Sequence, residues 1–222
     1  LSAPNLTIAS SDYSNTVNHT LVDTISGMEG VTHAYGRMYA ENIPAAFDVD
    51  TGQTTVDLIS YDDLQLGWLP DDDMLRKGSD LAKVYGDSGY VLAIWDQDVP
   101  LDVGDKIRLG SSEVEIAGML KYSPFSNSGQ TDGEIILISS EETFTRLTGV
   151  RDYAIIDIQV AKSASDQDVA AIRGLADGRY EFTDRRDEGD RSTYWAFSLF
   201  IYGFLAVIAL ITVLNIVNSI SM

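Results

Sequence analysis

Cysteine is absent from the chain. That excludes a disulfide framework, a thiolate metal site and a cysteine nucleophile. Histidine is reduced to His19 and His33. The first falls in a helical stretch and the second in a strand-like one, and no spacing joins them to a serine and a carboxylate as a catalytic triad. Neither a Gly-x-Ser-x-Gly elbow nor a Gly-Lys-Ser/Thr phosphate cradle occurs, so ATP hydrolysis is not a property of this chain. Basic residues are scarce, with 15 Lys and Arg against 34 Asp and Glu and a formal net charge of −19. Nucleic-acid binding needs a basic footprint and is excluded on this count. Adhesion to anionic headgroups is disfavoured by the same sign. A cationic partner such as a basic peptide would be attracted, although an acidic surface mostly serves solubility.

The last absence is local. From Trp195 to Met222 no residue carries a charge. In the 21 positions 197–217, 14 are Leu, Ile, Phe or Val. As a helix, 195–222 would extend about 42 Å at about 1.5 Å per residue, more than the roughly 30 Å of a bilayer's hydrocarbon core. Insertion of those side chains would gain at most about 4–8 kcal/mol. The run is therefore expected to be a transmembrane helix at the end of an acidic outer domain. It lies at the C-terminus and is not a signal peptide. A chain that starts at Leu1 and ends in such a run is expected to be a piece of a longer membrane protein. Tyr194, Trp195 and Tyr202 gather at one end as aromatics do at a membrane interface. Gly203, Ala206 and Ala209 offer a small-residue seam for a neighbouring helix. Asn215 and Asn218 mark the other end, as interface residues or as interhelical hydrogen-bonding groups.

The remaining residues can bury a core of their own. Ser10 and Ser11 before Asp12, followed by Tyr13, Val17, Leu21 and Ile25 at every fourth position, predict an amphipathic helix ending at Gly27. Val31–Tyr39 reads as a strand. Ala45–Val49 and Thr54–Ile59 flank Asp50-Thr51-Gly52-Gln53 as a hairpin. Residues 61–87 are turn-rich and acidic, with one short helix near Asp80–Val84. Strands are expected at Tyr90–Trp95, Lys106–Leu109, Glu113–Leu120 and Glu134–Ile138, with a Ser/Asn/Gly/Pro loop at 122–133. Ser139-x-x-Glu142 and Ser165-x-x-Asp168 predict capping boxes for two helices, to Leu147 and to Ala176. Tyr153–Val160 and Arg179–Thr183 complete the strands. The expected class is α+β with two lobes. Residues 1–60 and 134–194 form a mixed α/β lobe from both chain ends, 61–133 an inserted β-rich lobe, and 195–222 the membrane helix.

Three stretches resemble the extracytoplasmic domain of FtsX-like permeases of the MacB-type ABC transporter superfamily. They are Val99–Leu109 with its Gly104-Asp105-Lys106-Ile107-Arg108-Leu109 run followed by Val114–Leu120; the strand–helix–strand series across 155–183; and the closing run Leu214-Asn215-Ile216-Val217-Asn218-Ser219-Ile220-Ser221-Met222. The resemblance covers most of the chain, with 61–87 matching poorly. It implies a membrane helix before Leu1, further helices after Met222, and an outside-to-inside direction for the final helix. It implies a separate cytoplasmic ABC ATPase subunit that uses ATP, a second permease copy or homologue, and a bacterial cell membrane location with the domain on the extracytoplasmic side. The cargo or envelope partner is unnamed; exported peptide, lipid and lipoprotein are the classes it offers. A non-transporting regulator of a cell-wall hydrolase, as FtsX itself, is the alternative, and a surface near Tyr122–Phe125 would serve it. A membrane-anchored enzyme is a third.

No catalytic, cofactor or metal residue is assigned. Asp48-Val49-Asp50-Thr51-Gly52 starts like a calcium loop but lacks its later ligands, and a hairpin turn explains it better. Asp71-Asp72-Asp73 and Asp96-x-Asp98 could hold a loose Ca²⁺, and otherwise are solvated acids. The sequons at Asn5 and Asn18 are read as accidental. The assigned working parts are a stalk from Asp187 through Tyr194 to Trp195, expected as one continuous helix, and the helix positions Gly203, Ala206, Asn215 and Asn218.

Overall fold

Two β systems organise the computed structural model, in which residues 5–52, 54–67, 74–95, 99–121 and 135–186 are described. The first is an open four-stranded sheet of β1 (Leu6–Ala9), β2 (Val31–Arg37), β9 (Ile155–Val160) and β10 (Glu181–Asp184), in the order β10-β1-β9-β2. The second is a closed barrel of β3 (Tyr39–Phe47), β4 (Thr55–Tyr61), β5 (Tyr90–Ile94), β6 (Lys106–Leu109), β7 (Ser112–Leu120) and β8 (Ile136–Ser140), in the order β3-β4-β8-β5-β7-β6. Among the described residues four α-helices accompany them: α1 (Thr20–Ser26), α2 (Asp63–Gly67), α3 (Glu141–Thr148) and α4 (Asp166–Ala176), with a 3-10 turn at Leu81–Val84. The class is α+β, as expected.

Alternation explains the layers, because successive strand residues face opposite sides. In the open sheet Leu6, Ile8, Ile156 and Ile158 are fully buried. They meet across the ladder, with Leu6 opposite Ile158 and Ile8 opposite Ile156. Ile25 of α1 and Val169 and Ile172 of α4 join them in one apolar cluster. In the barrel Val56, Leu58, Ala93, Ile107, Ile116 and Leu137 belong to that cluster. The alternate residues Ile59, Leu92, Ala117, Ile136 and Ile138 form a second cluster with Leu66 and Val84. Strands β4, β5, β7 and β8 thus bury both faces, because α2 and the 3-10 turn contribute to a layer outside them.

The helices begin where local chemistry stops the preceding strand. Ser165 Oγ accepts from Asp168 N while the Asp168 carboxylate accepts from Ser165 N, a complete capping box. Asp177 (φ 46°) then ends α4 in the left-handed region. Helix α3 is capped one residue later than expected. Ser140 Oγ accepts from Thr143 N at 3.1 Å, while the Ser139 hydroxyl donates to the Ser140 carbonyl instead. The first helix differs more. Residues 10–18 are not helical; Tyr13 has φ 55°, Asp12 Oδ1 accepts from Ser14 N, and Val17 bridges to Tyr153 as a strand residue would. Asn18 Oδ1 then accepts from Thr20 N and from Thr20 Oγ1, so α1 starts at Thr20. Val17 is fully buried while Tyr13 is exposed, so the fourfold spacing of the two does not mark one helix face.

The strands expected within 1–60 are shared between both β systems: β1 and β2 belong to the open sheet, β3 and β4 to the barrel. Strand β8, in the 134–194 segment, is also a barrel strand. The reason is pairing: β4 lies parallel to β8 from Asp57–Ile136 to Tyr61–Ser140, and β5 lies parallel to β7. Residues Leu1–Thr183 form one compact unit and Asp184–Met222 a second. Among the described residues no helix is long and apolar enough to cross a membrane. The expected transmembrane helix 195–222 lies outside the described residues, as do the loop 122–133 and the stalk 187–195.

Candidate functional site

The passage from open sheet to barrel is short: β2 ends at Arg37 and β3 starts at Tyr39. Polar side chains converge there. Arg37 Nε lies 2.6 Å from Asp157 Oδ2, and Arg37 Nη2 donates to Asp157 Oδ1 at 3.3 Å. Their side chains are 10 % and 1 % exposed, so the pair is withdrawn from water. The Arg37 guanidinium also lies 5.7 Å from the centre of the Tyr61 ring, at the end of β4. Burial alone would lower the affinity of Arg37 for its proton; the Asp157 carboxylate and Tyr61 overcome this and hold it above its ordinary value. Burial pushes the Tyr61 hydroxyl up to about 12, against the pull of Arg37. Removing one partner of such a buried pair costs about 3–5 kcal/mol.

A second set of contacts pins the same passage. Ser60 N donates to Met38 O and Met38 N donates to Ser60 Oγ. Asn15 brackets Tyr39, donating from Nδ2 to its carbonyl and accepting from its N–H at 2.7 and 2.9 Å. The Tyr39 hydroxyl and Asn42 N–H both donate to the buried Asp57 carboxylate. Tyr153 lies flat against Gly36, where a Cβ would stand 2.3 Å from the ring. Its hydroxyl donates to Glu141 at the start of α3. Behind α3, Arg146 contacts Asp87 Oδ1 and donates to Ser88 O, while Thr143 Oγ1 donates to Gly86 O and Ser88 O. The 86–88 turn is thereby fixed to the helix.

The opposite end of the barrel is set by register. β5 and β7 run parallel, so Ile94 and Leu120 end together. The start of β8 and Leu75, which bridges Leu120, lie at that end too. Trp95 is exposed there, with the Arg76 guanidinium 5.1 Å from its ring centre.

The residues assigned from sequence separate into two groups. Asp187, Tyr194, Trp195, Gly203, Ala206, Asn215 and Asn218 lie outside the described residues, as do Asp71, Asp72, Asp73, Asp96, Asp98 and the Tyr122–Phe125 surface. His19 is placed, beside Asp152 with 2.9 Å between Nδ1 and Oδ1 on an exposed face. Asp50 is engaged in the β3–β4 hairpin, its Oδ1 accepting from Gly52 N. Among the described residues no group of three His, Asp or Glu side chains could hold a metal ion. Sequence reasoning missed Arg37, Asp157, Glu141 and Tyr153. The only signal was an Asp amid Ile155–Val160, an ionisable residue in a strand otherwise rich in isoleucine.

An open, helix-backed sheet joined at Met38 to a closed barrel defines a class of α+β domain, and solved transporter and permease domains share this fold. The periplasmic region of MacB from Actinobacillus actinomycetemcomitans matches with a TM-score of 0.56, 10 % identity, and coverage of 81 % of this chain and 88 % of that one. The extracellular domain of the noncanonic ABC-type transporter YknZ from Gram-positive bacteria matches at 0.55 and 14 % identity, over 82 % of this chain and 100 % of that one. A domain of a permease protein from Porphyromonas gingivalis, itself described as putative, matches at 0.53 and 13 % identity, over 82 % and 90 %. At these identities the likeness is one of fold. No protein-family model and no curated protein sequence matches the chain.

Proposed function

We propose that this chain is the extracytoplasmic domain of an ABC transporter permease of the FtsX/MacB type, held in a bacterial cell membrane by the helix 195–222. The observation that carries the reading is the coincidence of two independent features. The fold is shared with periplasmic and extracellular permease domains, and in sequence its last strand, β10, is followed closely by a 28-residue run without charge. The chain itself performs no catalysis and holds no cofactor. ATP is used by a separate cytoplasmic ATPase, whose cycle moves the membrane helices and, through 187–195, the outer domain. A second permease copy or homologue completes the transporter. The outer domain handles an extracytoplasmic cargo, of the peptide, lipid or lipoprotein class, or an envelope protein. Gly203 and Ala206 form the seam to a neighbouring membrane helix, and Asn215 and Asn218 lie toward the cytoplasmic end.

A natural absence of cysteine makes the topology directly testable. Ser111, in the exposed turn between β6 and β7, is replaced by cysteine in the full-length protein. A membrane-impermeant maleimide should label it in intact cells. Labelling only after lysis would contradict the reading.

A further inference from the structure

One titratable pair ties the two β systems together and stands apart from the Arg37–Asp157 contact. Tyr153 precedes β9 and is buried. Its ring lies on Gly36 of β2, its backbone bridges to Val17, and its hydroxyl donates to the partly buried Glu141 at the first turn of α3. Carboxylates face this pair from each neighbouring element. Asp62 and Asp63 follow β4, Glu142 lies beside Glu141 on α3, and the charge of Asp23 on α1 acts on Tyr153. His19 and Asp152 form an exposed contact next to it, and Arg146, the basic residue of α3, is engaged by Asp87 and Ser88.

We infer that Glu141 and Tyr153 form a proton-responsive latch between the open sheet and the barrel, and that the fold around it is more stable when Glu141 is neutral. A charged Glu141 has one phenol donor to set against partial burial and three like charges. A neutral Glu141 keeps the Tyr153 bond through its carbonyl oxygen and loses the repulsion. The direction agrees with the carboxyl itself: burial first, then Asp62, Glu142 and Asp63, raise Glu141 above its ordinary value near 4.5 despite the Tyr153 bond. With the folded value raised, the stabilisation is complete below the ordinary glutamate range and is lost as pH rises through the raised folded value. An outer face that acidifies would thus stiffen the passage from sheet to barrel. The inference does not depend on the permease reading, since it concerns the fold alone.

The test is thermal unfolding of the full chain in detergent from about pH 8 to about pH 4. Glu141→Gln, which mimics the neutral acid, should raise Tm at the alkaline end by on the order of 2–4 °C. That advantage should shrink to nothing at the acidic end. Asp62→Asn should move the wild-type transition to lower pH. Tyr153→Phe keeps the ring on Gly36 but removes the donor, and should move the transition to higher pH. His19→Gln should leave the Glu141-dependent difference in place. Parallel wild-type and Glu141→Gln profiles would overturn the latch. So would loss of the difference in His19→Gln, which would assign the response to the His19–Asp152 contact.

Discussion

The barrel and the open sheet bury similar side chains under different constraints. The barrel has no free edge: each of its six strands is paired on both sides, and β3 returns to β6 through Ala45–Leu109 and Phe47–Ile107. The sheet ends in two edges, β10 and β2, and the four-residue β10 offers few ladder bonds. Its shape depends on α1, α4 and one buried ion pair. Closure therefore makes the barrel stiff by topology, while the sheet is held by contacts that can be broken singly. A domain built this way has a rigid barrel and an adjustable sheet, and Arg37, Asp157 and Tyr153 lie where they meet.

Breaking the ion pair should have the largest effect. Asp157→Ala leaves the Arg37 guanidinium buried without its carboxylate and should cost about 3–5 kcal/mol in denaturant unfolding. The double change Arg37→Met, Asp157→Leu should recover most of that loss, because an apolar pair needs no desolvation of charge. Next come matched cavities on the two sides. Leu58 of β4 and Leu6 of β1 are both fully buried. Each Leu→Ala change should cost about 2–5 kcal/mol, with Leu58 the costlier, because strands tied on both sides collapse less into the space left. Equal losses would erase the distinction between the regions.

Gly36→Ala probes the contact between them. Its Cβ would meet the Tyr153 ring at 2.3 Å, and the overpacking should cost about 1–3 kcal/mol. Tyr153→Leu should relieve part of it in the double variant. The smallest effect is local to the sheet's support: Ser165→Ala removes the acceptor for Asp168 N and should cost about 1 kcal/mol. Circular dichroism at fixed denaturant would resolve these differences.

What the sequence made legible was local. Ser165 and Asp168 announced a capping box by spacing alone, and Asp102–Leu120 read correctly as a turn and hairpin because each strand pairs with the next. The structure departs from sequence reasoning where pairing is distant. The parallel contacts of β4 with β8 and of β5 with β7 join segments that carry no mark of their partners. Leu6–Ala9 escaped notice because its partner, β9, lies some 150 residues later. Tyr13 and Val17 imitate a helix because an exposed turn tyrosine and a buried bridge residue happen to stand four positions apart. Arg37 and Asp157 are separated by 120 positions, and only the fold reveals that they meet. The spacing fits Ser139 as the cap of α3, but Ser140 is the residue whose Oγ reaches the helix, accepting from Thr143 N, while Ser139 Oγ donates to the Ser140 carbonyl.

The proposed function requires that the barrel be carried by movements that originate across the membrane. Its most direct test uses the full-length protein with the proposed ATPase partner in lipid nanodiscs. Spin labels on cysteines at Ser111 of two permease copies report the barrel-to-barrel distance by double electron–electron resonance. The account predicts a resolvable shift of the distance distribution between the nucleotide-free and ATP-trapped states, abolished when the ATPase cannot bind nucleotide. A distribution that is the same in both states would contradict it.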